Sequence, residues 1–358
     1  MTHFLNDILR QPRALAATIE FLDRAGRQQL EDATAALRQA SQIYLTGIGS
    51  SYHAAIAAAA TFHRGARPVY LQDAAELSHF TSPPRGSVIV ILSRSGESAE
   101  ILKLLAKARE SNAIVLGLTH AEGSSLAREA QIPLVVPIEF DHSISVNTYT
   151  CLAASANILA TAVVDTFRST TRDELLRAIE AASERISVWQ RQIASANWLS
   201  RGLAYYFLAR GSSLATCHEA RLLWEEGAKH PATSMGTASF RHGPQEIVSE
   251  GLRFGVWVDP EHMRQEDFAV ARDLKKLGAS VMLVGHQLPE DAADLVLQVP
   301  LAPRGWQFLL DVVPAQLAAA RLAEISEVDC DSFRICSYIV RGEYGLISEM
   351  AVTKEPET

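Results

Sequence analysis

Two stretches of this 358-residue chain carry residue types that could do chemistry together. The first is Ser93-Arg94-Ser95-Gly96-Glu97-Ser98, which follows the apolar run Val88 to Leu92 and precedes a helix-like run from Ala99 to Glu110. Three hydroxyls, a glycine that lets backbone approach closely, and the free amides at the positive end of a helix are the donors a compact dianion needs. A similar turn, Gly47-Ile48-Gly49-Ser50-Ser51, follows the short β-type run Ile43 to Thr46. One such turn alone reads as capping of a helix after a strand. Two of them on neighbouring strands put anion binding on an equal footing with capping. Neither is a Walker A loop, because the Gly-Lys-Ser/Thr ending is missing, and no full Gly-x-Gly-x-x-Gly follows a strand.

The second stretch runs from Cys217 to Lys229 and is helical in pattern, with Ala220, Leu223 and Trp224 on one face. Glu219, Glu226 and His230 recur so that they could share a side. The loop beyond reaches Phe240-Arg241-His242-Gly243-Pro244. A carboxylate and an imidazole are the usual pair for moving protons on a carbon skeleton. The same residues also read as a solvated helix face and a loop histidine.

These groups need elements to place them. Residues 1 to about 40 have helical spacing, with Leu15, Ile19 and Leu22 on one side. Strand-like runs then alternate with helix-like ones. After Ile43 to Thr46 and Val88 to Leu92 come Ala113 to Leu118 and Leu134 to Pro137. The grammar returns with Ala204 to Ala209, ended by Arg210-Gly211-Ser212-Ser213, then Phe254 to Val258, Ser280 to Val284 and Leu295 to Val299. Helices are expected from Glu266 to Leu277 and from Trp306 to Ile325. Alternation of this kind means βαβ units and parallel sheets. The two Gly-Ser-Ser turns, at Gly49 and Gly211, suggest an internal repeat. The predicted fold is therefore α/β in two halves. Residues 1–38 are expected to be a helical segment, 39–168 the first α/β domain, 169–198 a linking helix, 199–347 the second domain, and 348–358 a loose polar tail.

Composition narrows the function classes. Hydrophobic residues make up 48% and charged residues 21%, enough for a sizeable core without a disorder signature. The formal net charge of −8 argues against nucleic acid as a partner, which needs surplus Lys and Arg. A small phosphorylated ligand needs only local donors. Cys151, Cys217, Cys330 and Cys336 form no C-x-x-C pair or metal-site spacing, so reduced thiols in a reducing compartment are expected. Asp7 and Arg10 interrupt the apolar pattern of Met1 to Gln11, which does not read as a signal peptide. No apolar run approaches the ~20 residues of a membrane span. A cytoplasmic protein without membrane contact is expected.

Together these stretches resemble the sugar isomerase (SIS) fold family. The nearest pattern is the isomerase half of glucosamine-6-phosphate synthase, with related aminosugar-phosphate deaminases and deglycases. The markers are Gly49-Ser50-Ser51-Tyr52-His53, Ser93 to Ser98, Ser143-Ile144-Ser145-Val146-Asn147-Thr148-Tyr149-Thr150, and the run from Glu219 to His242-Gly243-Pro244. They are separate, in the right order, and span nearly the whole chain. The resemblance implies two tandem SIS domains, each a parallel five-stranded sheet flanked by helices in a three-layer, flavodoxin-like arrangement. It implies that Ser51, Ser93, Arg94, Ser95 and Ser98 hold a sugar phosphate, with Ser50 close by and Ser145 near the sugar. It puts the C1/C2 proton shuttle on Glu226 and assistance of ring opening on His242, acting in the neighbouring subunit of a homodimer. No cofactor and no metal are implied.

The departures from that family matter as well. The family's synthase has a glutaminase domain with a terminal Cys, where this chain has Thr2. The family's lysine on the catalytic helix falls on Leu223, and its C-terminal imine-forming lysine falls on Tyr338. Lys229 stands nearby without an assigned role. Amination is therefore not expected. The function expected is a sugar-phosphate isomerase or aminosugar-6-phosphate deaminase or deglycase, working by C1/C2 proton transfer on a hexose or aminohexose 6-phosphate. The alternative is a non-catalytic phosphosugar sensor.

Overall fold

The computed structural model describes residues 1–343 and 345–346. The expected tail, 348–358, and residue 347 at the end of the expected second domain lie outside the described residues.

The chain opens with α1 (His3–Asp23) and α2 (Arg27–Gln39). Then come β1 (Ile43–Thr46), α3 (Ser50–Arg64), β2 (Tyr70–Leu71), α4 (Ala74–Phe80), β3 (Val88–Leu92) and α5 (Ala99–Ser111). β4 (Ile114–Thr119), α6 (Ser125–Glu129), β5 (Ile132–Val135) and α7 (Asn147–Val164) complete the first half. The long α8 (Ser169–Ser195) leads to β6 (Tyr205–Ala209), α9 (Ser213–Glu226), β7 (Ala232–Gly236) and the short α10 (Thr237–Phe240). The second half closes with β8 (Arg253–Trp257), α11 (Arg264–Lys276), β9 (Ser280–Gly285), β10 (Leu295–Gln298) and α12 (Phe308–Ser326).

Each half is one parallel five-stranded sheet, in the orders β2-β1-β3-β4-β5 and β10-β9-β8-β6-β7. The expected α/β halves with parallel sheets are thus present. Alternation along the strands decides the layering. In β1, Ile43 and Leu45 turn to one side while Tyr44 turns to the other. The Tyr44 side packs with Ile89, Ile91 and Val115 under α4 and α5 as an outer core. In the second half Leu208, Phe254, Val281 and Leu283 form the matching outer core with α11. The inner faces of both sheets belong to a single core with α1, α3, α7, α8, α9 and α12 between them. Small residues make this possible: Ala54, Ala55, Ala57, Ala58 and Ala59 let α3 lie close to α7 and α9.

Six elements escaped the sequence reading, and α4, α6 and α10 did so because each is too short to show a helical period. β2 is too short to show a period, and β7 is a half-buried Ala-Thr-Ser-Met-Gly edge strand without a branched apolar run. α7 is buried at every position from Asn147 through Ala160, so it has no polar face to set a helical period.

In parallel sheets of this kind ligands bind at the C-terminal strand ends, where the strand order reverses. Each half has one such crevice, between β1 and β3 and between β6 and β8. The second is filled from within. Asp311 of α12 is fully buried and accepts hydrogen bonds from Ser213 Oγ and Gln307 Nε2, both at 2.9 Å. Arg210 pairs with the buried Asp267 at 2.7 Å beside it. Burial pushes the Asp311 carboxyl from 3.8 up to about 7, and its two hydrogen bonds offset this only in part.

Asp311 therefore ionises more readily unfolded than folded. It costs stability progressively as pH rises from about 4 to about 7, and its contribution is flat outside that window. Asp311→Asn should remove that slope. Urea midpoints of the variant at pH 5 and pH 8 are expected to lie closer together than those of the wild type.

Candidate functional site

The first crevice is open. A cavity of about 210 Å³ lies at the tips of β1 and β3. Its wall includes Ser50, Ser51, Ser93, Arg94, Ser95, Ser98, Ser145 and Glu226, which is every predicted site residue except His242.

The serine loop owes its shape to its own backbone. Gly96 has φ +63°, and a Cβ there would lie 2.3 Å from Ser124 Oγ, so only glycine fits. The Gly96 amide donates to Ser93 Oγ at 3.0 Å and the Glu97 amide to Ser95 Oγ at 3.2 Å. Each hydroxyl thus accepts from the loop and keeps its own hydrogen for a ligand. Glu97 turns away and accepts from the Ser125 amide at 2.6 Å, tying the loop to α6. Ser98 caps α5 without a side-chain bond of its own.

Arg94 joins this loop to two others. Its guanidinium donates to the Ser143 carbonyl at 2.8 Å and to Ser145 Oγ at 3.0 Å. It also donates to the Tyr338 carbonyl at 3.1 Å and lies over the Tyr338 ring, 4.0 Å from the centroid. Asp141, fully buried, holds the Ser143–Ser145 turn from beneath. It accepts from the amides of Val146, Asn147 and Thr148 and from the side chains of Asn147 and Thr148, which satisfies it at the start of α7. Sequence reasoning passed over Asp141. Its signal was an acid shortly before a small polar run that opens a helix.

The opposite wall comes from the second half. α9 packs against α3 and brings two carboxylates. Glu219, 1% exposed, accepts from Ser50 Oγ at 2.9 Å and contacts His53 Nδ1 at 2.7 Å. His53 stacks with His218, whose ring nitrogen meets Ser234 Oγ at 2.8 Å. Burial first, and the nearby His53 second, lower the His218 pKa to about 4, so that ring is neutral at pH 7. Glu226 reaches the cavity two turns on. Burial first, and the neighbouring Glu219 second, raise its carboxyl from 4.5 to about 7. Arg94 and Lys229 pull it back in part. A carboxyl poised near neutrality can both give and take a proton.

The remaining wall is a strap after α12, with Phe333, Cys336 and Tyr338 facing the cavity. Asp331 anchors it by accepting from the amides of His3 and Phe4 at the start of α1. The Ala99 amide donates to the Val340 carbonyl at 3.0 Å. Lys229, at φ +54°, donates to the Glu226 carbonyl and to the Ser332 carbonyl, so its ammonium faces backbone. Tyr338, which stands where the family resemblance put a lysine, offers a ring under Arg94 and no amine. Leu223 is fully buried in the core. His242 is exposed on the turn after α10 and is not brought to the cavity of its own chain. Glu100 was not singled out from the sequence. It lies on the cavity wall, and one of its carboxylate oxygens is buried without a partner among the described residues. No described helix is long and apolar enough to cross a membrane.

Residues 36–164 match the SIS domain family. The chain is 26% identical over 341 residues to the isomerizing glutamine–fructose-6-phosphate aminotransferase of Pyrobaculum aerophilum, covering 88% of this chain and 54% of that one. It is 24% identical over 343 residues to the same enzyme of Bacillus subtilis, covering 93% and 57%. The chain thus spans just over half the length of these curated relatives. Among solved structures it resembles glucosamine-6-phosphate deaminase from Thermotoga maritima, with TM-score 0.80, 20% identity, and 95% of this chain and 100% of that one covered. It also resembles tagatose-6-phosphate ketose/aldose isomerase from Escherichia coli, with TM-score 0.79, 20% identity, and coverage of 92% and 94%.

Two outcomes are expected. In a carbon-13 NMR titration of the glutamate carboxyls, Glu226 should titrate near pH 7, and Glu219→Gln should move that midpoint down by removing the neighbouring charge. Gly96→Ala should cost about 1–3 kcal/mol in denaturant unfolding, because an alanine is forced into the left-handed region against Ser124.

Proposed function

We propose that this chain, whose residues 36–164 form a SIS domain, acts on a hexose or aminohexose 6-phosphate by moving a proton between C1 and C2. The observation that carries this reading is the meeting of two things in one cavity. The hydroxyls of Ser51, Ser93, Ser95 and Ser98 converge there, and so does a carboxyl, Glu226, held near neutral pKa. The names of the aligned proteins point the same way, to aminotransferase, deaminase and isomerase chemistry on sugar 6-phosphates.

In this mechanism the phosphate sits in the serine loop and Arg94 supplies the one cationic side chain of the wall among the described residues. Glu226 as carboxylate takes the proton from C2 of the open-chain aldose while solvent gives O1 the proton that O2 or the amine releases in the second step, leaving an enediol or, for a 2-amino sugar, an enolamine. The protonated Glu226 then returns the proton to C1. From a 2-hydroxy sugar the product is the ketose. From a 2-amino sugar it is a C2 imine, which water hydrolyses to the ketose and ammonia. His242 would assist ring opening from a second copy of the chain, since it is exposed and is not part of the cavity wall of its own chain.

The alternative is a binder without turnover, and one experiment separates the two. Hexose and hexosamine 6-phosphates at ~100 times their dissociation constant should stabilise the protein by ~2.7 kcal/mol in thermal-shift measurements. The hits should then be turned over. Glu226→Gln should lower kcat by about 10²–10⁴-fold while leaving the thermal shift nearly intact. A variant with wild-type turnover would exclude the role given to Glu226, and binding without turnover in the wild type would leave the sensor reading. Glu100→Gln, which removes a negative charge from the phosphate cavity, should tighten binding of the same ligands several-fold.

A further inference from the structure

His53 lies on α3 behind the cavity. It is buried, it is not part of the cavity wall, and the proposed reaction gives it no task. Its Nδ1 stands 2.7 Å from Glu219 Oε2. The other carboxylate oxygen of Glu219 accepts from Ser50 Oγ at 2.9 Å. Among the described residues no other group bonds to the Glu219 side chain. One hydrogen lies in the 2.7 Å contact, carried either by the ring or by the carboxyl. A carboxylate this deeply buried stays charged only when donors face it. Ser50 serves one oxygen, so the charge of Glu219 depends on what His53 gives the other.

That charge is felt two turns along α9. Burial first, and Glu219 second, hold the Glu226 carboxyl up. The serine loop brings Arg94 against Glu226 and the end of α9 brings Lys229, both of which pull it down, while Glu225 pushes it up. Cys336 of the strap lies near it, and Glu100 of α5 faces the same cavity. Around the buried pair, α7 brings Tyr149 near Glu219, with a buried hydroxyl that has no partner among the described residues. His218 of α9 stacks on the His53 ring with 5.8 Å between centroids, and Arg221 acts on His218. His218 is neutral and turned to Ser234, so it competes neither for Glu219 nor for the proton of His53.

We infer that His53 is a positioning residue for the proton transfer: its Nδ1–H, donated to Glu219, keeps that carboxylate charged, and through it sets the pH at which Glu226 passes from acid to base. Without the ring hydrogen Glu219 takes up a proton, its charge vanishes, and Glu226 becomes a stronger acid and a weaker base. The effect on turnover rests on the proposed C1/C2 chemistry, whereas the effect on Glu226 does not.

NMR on the full chain tests this without a substrate. In nitrogen-15 spectra of the wild type, His53 Nδ1 should carry its hydrogen at about pH 7, and an Nδ1 without one overturns the inference. In carbon-13 titrations, His53→Phe should lower the Glu226 midpoint by on the order of one pH unit, as far as Glu219→Gln lowers it. His53→Asn, whose side-chain amide puts an N–H where Nδ1 stood, should leave the midpoint in place. His53→Phe added to Glu219→Gln should move it no further. A purely structural role would lower the melting temperature of the His53 variants and leave the midpoint unmoved, and that result overturns the inference. So does a shift by His53→Phe that persists in the Glu219→Gln background. Should His53→Phe not fold, the nitrogen-15 state of the wild type and the titration of His53→Asn still decide. With fructose 6-phosphate or glucosamine 6-phosphate as substrate, the acid limb of the kcat profile should move to lower pH in His53→Phe, while KM stays within about twofold of wild type. An acid limb that stayed while the Glu226 midpoint moved would overturn both the positioning role and the base assigned to the reaction. Absence of turnover with a moving midpoint would remove the proposed reaction alone.

Discussion

A buried carboxylate must be met by donors, and Glu219 is met by residues from the other half of the molecule. It sits on α9, while Ser50 and His53 sit on α3. Removing one partner of such a group leaves an uncompensated charge in a low dielectric, which is far costlier than losing a surface contact. The two halves are therefore fixed against each other at the wall of the candidate site. Everything else there follows from that clamp. It sets where α9 ends, so it sets where Glu226 points. It also supplies the second negative charge that keeps the Glu226 carboxyl near neutrality.

The internal repeat has been used asymmetrically. Both halves have a Gly-Ser turn at the same place in the sheet, and the first leaves its crevice open. In the second, Asp311 occupies the space between Ser213 and Gln307, a carboxylate of the chain standing where a ligand anion would otherwise go. Released from serving its own crevice, α9 is free to serve the other one, and Glu219 and Glu226 both come from it. One half supplies the anion donors and the other supplies the acid and base.

Much of this was legible in the residues. The strand runs were apolar, short and closed by Gly-Ser turns, so the parallel α/β architecture could be read from pattern. The phosphate-type loop could be read because Ser93, Ser95, Gly96 and Ser98 lie within one turn, where local chemistry suffices. What could not be read were partnerships between distant segments. Nothing near Asp141 says that it will gather five donors, and nothing near Lys229 says that its ammonium will bind the carbonyl of Ser332. Glu219 had been noticed as one of three polar residues on a helix. Its pairing with His53 depends on how α3 and α9 cross, which a linear pattern does not contain. The resemblance reached Tyr338 as the position of a family lysine, and neither its place on the cavity wall nor its stacking on Arg94 was visible without the strap.

The inner core is continuous from one sheet to the other, and α1 packs into it against α7, α8 and α12. The repeat unit of the sequence is therefore not a unit of folding. A chain cut at α8 would expose the side of α3 that meets α9 and the side of α1 that meets α8 and α12, with nothing to cover them. Neither piece could reach its native packing until the other had been synthesised. Closure of the interior must await the last helix, α12, and the molecule should then melt as one cooperative body rather than as two beads in succession.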